Sequence, residues 1–388
     1  MSNELTIQRV AIPPSSDAPT KRVDLGIIWL LTQAIVGQYP IRTIRENESM
    51  WVYDHEKGFY RPGAETYIAE FLCKNLGFNA RCTYRELLFN IGSTTHINLD
   101  NFDSDPNFVN LVNGVYDIDK DIILEHSPKY NFRYCTNIEY DKNARCDMFE
   151  KMVRNMTESQ EDYDLIQKWF GCHFVIRPLK KSLFIVGPTN ASKSTLLWVL
   201  QQLIGDNSCS AHSLQELTGG SNYSVANLYN KLANINADTS TIRLKDVSTF
   251  KLLTGGDLIS TRMIRGKPFE FRNNAKLTFA FNHFPFLDNS ILSDLAFWER
   301  LMIVSVKKGY DQKDDHIKDK LYGELPGIFN WAIEGLRNLI KGDIYNKSIE
   351  ETKDFWIKNM TKECMTSGRT TVVSKDQISE MPSHIVSR

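Results

Sequence analysis

Residues 181–198, KSLFIVGPTNASKSTLLW, run from a short apolar stretch through Gly187 and a polar turn into Ser192-Lys193-Ser194 and a second apolar stretch. The order strand, tight loop, helix is the repeating unit of an alternating α/β sheet. In a loop of this kind the backbone N–H groups and the first helical turn present positive potential to an anion. An ammonium at Lys193 can reach the outer phosphates of a nucleotide, and the Ser194 hydroxyl can ligate a divalent cation.

The loop departs from the usual phosphate-binding pattern in one place. Gly normally precedes the Lys, where backbone presses against phosphate, and this chain has Ser192 there. A side chain at that position costs energy only if the loop needs φ > 0 or clearance that a Cβ denies, because Ser suits the first turn of a helix. A strand-turn-helix connection with an incidental Lys-Ser remains the alternative reading of this segment alone.

The 388 residues allow two or three domains with full-sized cores. Hydrophobic content of 42% and charged content of 24% are those of an ordinary globular chain. With 46 Lys and Arg against 47 Asp and Glu, there is no global basic field. Any nucleic-acid contact must come from a local patch, as in a ring whose basic residues face a central pore.

Seven Cys, at positions 73, 82, 135, 146, 172, 209 and 364, never show Cys-x-x-Cys spacing. They read as reduced, half-buried hydrophobes, so a cytoplasmic, reducing compartment is expected. The eight His lack metal-ligand spacing, and zinc is not expected. The N-terminus has no signal-peptide core, and LGIIWLLTQAIVG is too short and too interrupted to span a membrane, so no membrane partner is expected.

Along the chain, residues 1–22, with Pro13, Pro14 and Pro19, read as a disordered arm. Residues 23–150 read as a smaller mixed α/β domain. It contains a helix over 24–37, a hairpin at Lys57-Gly58, helices over 64–76 and near 83–91, and strands punctuated by Asn113-Gly114 and Asp119-Lys120. The core, 151–310, has the buried runs SLFIV, LANINA, LTFAFN and LMIVSV separated by helical or loop segments that include 195–204, 213–230 and 244–254. That is the rhythm of a doubly wound, mostly parallel sheet. A helical segment, 311–345, follows with Trp331, Ile333, Leu336 and Ile340 on one face, and the tail, 346–388, starts with a helix over 349–360.

Downstream of the loop, Asp238 closes LANINAD, where a carboxylate on a neighbouring strand can hold Mg²⁺ or polarise water. Taken alone it is equally a strand-capping Asp. KLTFAFNHFP ends a strand at Asn282, whose amide can orient a water against a terminal phosphate or satisfy a turn. FKLLTGGDLISTRMIRGKPFEF carries Arg262, Arg265 and Lys267 around a Gly-centred hairpin, a phosphate-backbone contact or a solvated loop. Arg300 stands before the last apolar strand, where it can reach a neighbouring subunit's phosphate or pair with a nearby acid.

Together GPTNASKST, KLANINAD, KLLTGGDLISTR and KLTFAFNHFP with Arg300 resemble motifs A, B, B′ and C and the arginine finger of the superfamily 3 helicases. The likeness is greatest to the primase-helicases of phages, plasmids and large DNA viruses, and LVNGVYDIDKDIILEHSP is similar to the domain preceding their helicase core. The resemblance covers roughly residues 45–345. It implies an AAA+-type P-loop ATPase that assembles as a ring, expected to be hexameric, and moves along single-stranded or forked DNA. A primase or replication initiator is an implied partner.

By the same resemblance Gly187, Pro188, Thr189, Asn190, Ala191, Ser192, Lys193, Ser194 and Thr195 hold ATP, and Ser194 and Asp238 hold Mg²⁺. Lys193, Asp238, Asn282 and Arg300 are the catalytic set; Arg262, Arg265 and Lys267 face DNA. The chain departs from the family in Ser192, in a single acid at the metal strand and in the absence of a primase module before residue 45. Two further readings stand beside the helicase: a nucleotide- and DNA-binding ring component with weakened turnover, and a small-molecule kinase built on the same loop.

Overall fold

The computed structural model describes residues 25–76, 81–176, 179–219, 222–237, 243–264, 268–307, 315–342, 344 and 347–366. The chain divides into two compact units, one from 1–52 and 62–97, the other from 53–61 and 98–388. Its N-terminal elements are α1 (Leu25–Gln38), β1 (Ile41–Ile44), β2 (Met50–Asp54), β3 (Phe59–Pro62), α2 (Ala64–Leu76), α3 (Arg81–Thr94) and β4 (His96–Ile97). In the first unit β1 pairs antiparallel with β2 and parallel with β4. Its core gathers Ile28 and Ile35 of α1, Ile41, Val52, Ile68, Phe71, Leu87 and Ile91. Trp29 and Leu30 of α1 stay exposed.

The second unit continues with a meander of β5 (Phe108–Leu111), β6 (Gly114–Asp117) and β7 (Ile122–Leu124), turned where Asn113-Gly114 and Asp119-Lys120 predict. Helices α4 (Asp147–Met156) and α5 (Gln160–Cys172) lead to β8 (Ser182–Val186), α6 (Lys193–Ile204), β9 (Cys209–Ser210), α7 (Leu214–Thr218), α8 (Asn222–Ala226) and β10 (Ala233–Asn236). Next come β11 (Arg243–Leu244), α9 (Ser248–Gly255), the hairpin β12 (Leu258–Arg262) and β13 (Pro268–Arg272), then β14 (Lys276–Phe281) and β15 (Phe286–Leu287). The last elements are α10 (Asn289–Leu292), α11 (Leu295–Trp298), β16 (Leu301–Ser305), α12 (Ile317–Gly323), α13 (Leu325–Lys341) and α14 (Ile349–Thr366).

Five of these strands form one sheet in the order β16-β8-β14-β10-β9, every pair parallel. Side chains alternate between its faces, as the two-residue period of a strand demands. Leu183, Ile185, Met302 and Val304 enter one core with Trp169, Leu200 and Trp331; Phe184, Val186, Phe279, Phe281, Leu301 and Ile303 enter the other with Phe250, Phe297 and Trp356. Burial on both faces explains why these strands read as unbroken apolar runs rather than alternating ones.

Helices α5 and α13 cross closely on the first face. A Cβ at Gly335 would lie 2.5 Å from the Gln167 carbonyl carbon, so only glycine permits this approach. On α13, Trp331, Ile333 and Leu336 are buried, but Ile340 is 54% exposed because the helix runs past the end of its neighbour's cover. The mixed α/β unit expected over 23–150 is divided: Val109, Leu111 and Val115 share a continuous core with Trp169, Leu183 and Met302, which groups residues 98–150 with the parallel sheet. The arm 1–22 and the tail beyond 366 lie outside the described residues.

Candidate phosphate-binding site

Gly187 follows β8 and donates its N–H to the Phe281 carbonyl at 3.2 Å, which joins the loop to the end of β14. A Cβ there would overlap the Val306 carbonyl oxygen and lie 2.6 Å from a Val306 methyl, so the position requires glycine. The loop then turns through two left-handed non-glycine residues, Asn190 (φ 65°) and Ser192 (φ 59°). Ser192 caps α6 with no side-chain cap hydrogen bond, and the first helical bond is Leu196 N–H to the Ser192 carbonyl at 2.9 Å. The N–H groups of Lys193, Ser194 and Thr195 therefore precede the intrahelical ladder and are the donors a helix offers to an anion.

The Lys193 ammonium lies over this loop. It donates to the Gly187 carbonyl at 2.6 Å, the Pro188 carbonyl at 2.7 Å and Asn282 Oδ1 at 2.9 Å. Burial pushes its pKa down. Asn282 follows β14, and the register that pairs Phe281 with Val186 carries the amide to the mouth of the loop. Pro188, Thr189, Asn190 and Ser194 are exposed, Thr195 is half-buried and Ala191 is buried under the loop.

The strand beside β8 is β14, and β10 lies next beyond it. Asp238 lies outside the described residues. Asn236, two residues earlier, has a buried Oδ1 with no hydrogen-bond partner among the described residues. Arg300 sits at the opposite end of the sheet, where its carbonyl accepts from Ser182 at the start of β8. Its guanidinium donates to the Ala296 carbonyl and its Nε is buried without a partner among the described residues.

The Gly-centred segment is a true hairpin, with β12 and β13 antiparallel and Arg262 opposite Pro268. Arg265 and Lys267 lie outside the described residues. Arg262 donates to the Tyr223 hydroxyl at 3.4 Å, and its guanidinium lies 5.8 Å from that ring's centroid. Tyr223, 43% exposed on α8, went unrecognised in the sequence, where 213–230 reads only as helical or loop. An aromatic within the polar run SNYSVAN is the one signal that could have singled it out.

Among the described residues no cluster of three metal-ligating side chains occurs, and no helix is long and apolar enough to cross a membrane. What the arrangement can offer an anion is the first turn of α6, whose leading N–H groups precede the helical ladder, beside the Lys193 ammonium.

Comparison with known families gives two matches in sequence. Residues 41–158 match the family described as D5 N terminal like, and residues 185–293 match a family of unknown function (DUF5906) that spans the loop, the hairpin and Asn282. No curated protein matches the chain. Among solved structures, the A form apo structure of the NrS-1 C terminal region aligns with 92% of this chain and 85% of its own, at 11% identity and a TM-score of 0.56. A second apo structure of that region aligns with 86% of this chain and 74% of its own, at 12% identity and a TM-score of 0.53. At such identities the likeness establishes a shared fold: a mixed α/β chain with a parallel sheet and covering helices.

Proposed function

We propose that this chain is an ATP-dependent DNA helicase or translocase of superfamily 3, with an AAA+-type core, acting in primase-helicase-type replication of a phage, plasmid or virus. The observation that carries the reading is the Lys193 ammonium, held over a Gly187–Ser192 loop at the N-terminus of α6, with the Asn282 amide on the adjacent strand. The D5 N terminal like segment ahead of this core supports the replication setting.

ATP would supply the phosphoanhydride and Mg²⁺ the charge that offsets its cleavage. Toward them, Lys193 and the first-turn N–H groups of α6 hold phosphate oxygens, and Ser194 with Asp238 holds the cation. The orphaned Asn236 oxygen at the end of β10 fits a site that takes a hydrated ion. Asn282 orients water at the loop mouth, and Arg300 serves a neighbouring subunit in a ring. Arg262 contacts backbone phosphate, with Arg265 and Lys267 beside it in sequence, and the exposed Tyr223 ring offers a face for a base.

Steady-state ATP hydrolysis with and without single-stranded DNA tests this. DNA-stimulated turnover should fall by roughly 100-fold in Lys193→Ala, the order seen when one preorganised charge-stabilising donor is removed. A rate untouched by that substitution removes the catalytic reading. A second reading, a nucleotide-binding ring component with weak turnover, draws on one observation: Ser192 occupies a left-handed conformation that glycine fills more easily.

A further inference from the structure

The three acceptors of the Lys193 ammonium all belong to the protein: two carbonyls of its own loop and the side-chain oxygen of Asn282, 89 residues away in sequence. An ammonium has three donors and no acceptor, so this set uses its full hydrogen-bonding capacity. A phosphate oxygen can take a place on Lys193 only by displacing one of the three. The two carbonyls are fixed by the loop backbone, whereas Asn282 is a side chain able to swing.

We propose that Asn282 is a latch on the unliganded site, competing with nucleotide phosphate for the Lys193 ammonium and being released when phosphate arrives. The inference rests on the nucleotide-binding reading and deepens it: Asn282 sets the affinity for a nucleoside triphosphate as well as its place beside the reacting phosphate. The latch is anchored. Immediately after it, Phe284 is fully buried with its ring 4.5 Å from that of Trp356, and the Pro285 carbonyl accepts from the Trp356 indole at 3.2 Å. Release of the amide therefore occurs on a loop tied to α14, giving the occupied site a physical link to that helix. The depressed pKa of Lys193 is consistent with an ammonium held out of water rather than freely hydrated.

Calorimetric titration of the full chain with MgATP is the test, using wild type, Asn282→Ala, Asn282→Asp and Lys193→Ala. Removing the competitor should tighten binding in Asn282→Ala by roughly tenfold, the low end of what one hydrogen bond to a charged group contributes. Asn282→Asp, which strengthens the latch and adds a negative charge, should bind more weakly than wild type. A group that only positions water or supports the loop would leave affinity unchanged or lower it in Asn282→Ala, and that result overturns the latch while leaving nucleotide binding intact. If wild type takes up no nucleotide, or Lys193→Ala binds as well as wild type, the nucleotide reading itself fails and the latch with it. Should Asn282→Ala fold poorly by circular dichroism, Asn282→Ser, too short to span the 2.9 Å bond, carries the same expectation.

Discussion

Ser192→Gly should stabilise the protein, although it removes a side chain from the phosphate loop. Ser192 sits at φ 59°, ψ 10°, the left-handed region, where an L-residue loses roughly 1–2 kcal/mol to its own Cβ. Its side chain makes no cap hydrogen bond, so truncation sacrifices no helix-capping energy. Against the relief stands the extra freedom glycine gives the unfolded chain, about 0.4–1 kcal/mol. The balance is a net gain of about 0.5–1 kcal/mol. For a unit the size of the sheet domain that is a rise in Tm of about 1–4 °C, read by scanning calorimetry at fixed protein concentration. Ser192→Ala is the control: it deletes the hydroxyl but keeps the Cβ, so its Tm should equal or fall below that of wild type. If Ser192→Gly melts no higher than Ser192→Ala, the strain argument is refuted. If turnover rises only in the glycine variant, the weak-turnover reading gains its cause.

His173 is buried, its Nδ1 lies 2.7 Å from the Trp169 carbonyl and its Nε2 has no partner among the described residues; burial first, and the buried Lys276 ammonium second, push its pKa down to about 3. The unfolded chain protonates near 6.5 and the folded one only near 3, so stability present above pH 6.5 drains away as pH falls between the two, by at most about 1.4 kcal/mol per pH unit. Urea midpoints at pH 7 and pH 5 should therefore differ less in His173→Gln than in wild type, and an equal difference rejects the assignment. Gly335→Ala gains roughly 1 kcal/mol of helix propensity but forces a methyl onto the Gln167 carbonyl; overpacking of about 1–3 kcal/mol wins, and a raised urea midpoint would contradict the close crossing. Arg262→Ala should weaken single-stranded DNA binding and flatten its salt dependence, whereas Tyr223→Ala should weaken it by roughly tenfold with the salt slope unchanged, both read by anisotropy.

Much of the sheet was legible because its strands are buried on both faces. SLFIV, LTFAFN and LMIVSV are unbroken apolar runs, and each became a strand of the parallel sheet, the first two inside it and the third at its edge. The helix over 64–76 was marked by the Gly63 that precedes it and by Glu65 in its first turn. What escaped notice was short or non-local. β9 has two residues, too few for any period to register. The segment 213–230 reads only as helical or loop; α7 opens on a Ser213–Glu216 capping box and ends at Thr218 with Gly219 as its C-cap, and α8 starts at Asn222. The site itself was half legible. Lys193 was visible at the start of the helix that follows the loop and Asn282 at the end of an apolar strand, but their bond depends on β14 pairing directly with β8, and strand order is not written in local pattern. The same insertion of β14 sets β10 one place away from β8. The φ of Ser192 is likewise a property of loop closure, not of residue type.

The placement of Arg300 turns the question of ring assembly into one of geometry. In the β8–β16 ladder, Ser182 N–H meets the Arg300 carbonyl at one end and Val306 N–H meets the Val186 carbonyl at the other, beside Gly187. A strand the length of β8 spans about 16 Å, further than a side chain crosses through a packed sheet. A guanidinium at Arg300 thus has no route to the phosphate loop of its own chain, and any part it plays in phosphate chemistry is played in trans. Arg300→Ala and Lys193→Ala chains, each inactive alone, should then recover activity when mixed, because an interface joining the intact Lys193 of one to the intact Arg300 of the other is complete. Random mixing of equal amounts makes roughly a quarter of interfaces complete, so turnover near that fraction of wild type is expected in a coupled ATPase assay. A mixture no more active than its parts would show that Arg300 does its work inside one chain, in the hydrogen bond to Ala296, and a small-molecule kinase acting as a monomer would then be the better account of the loop.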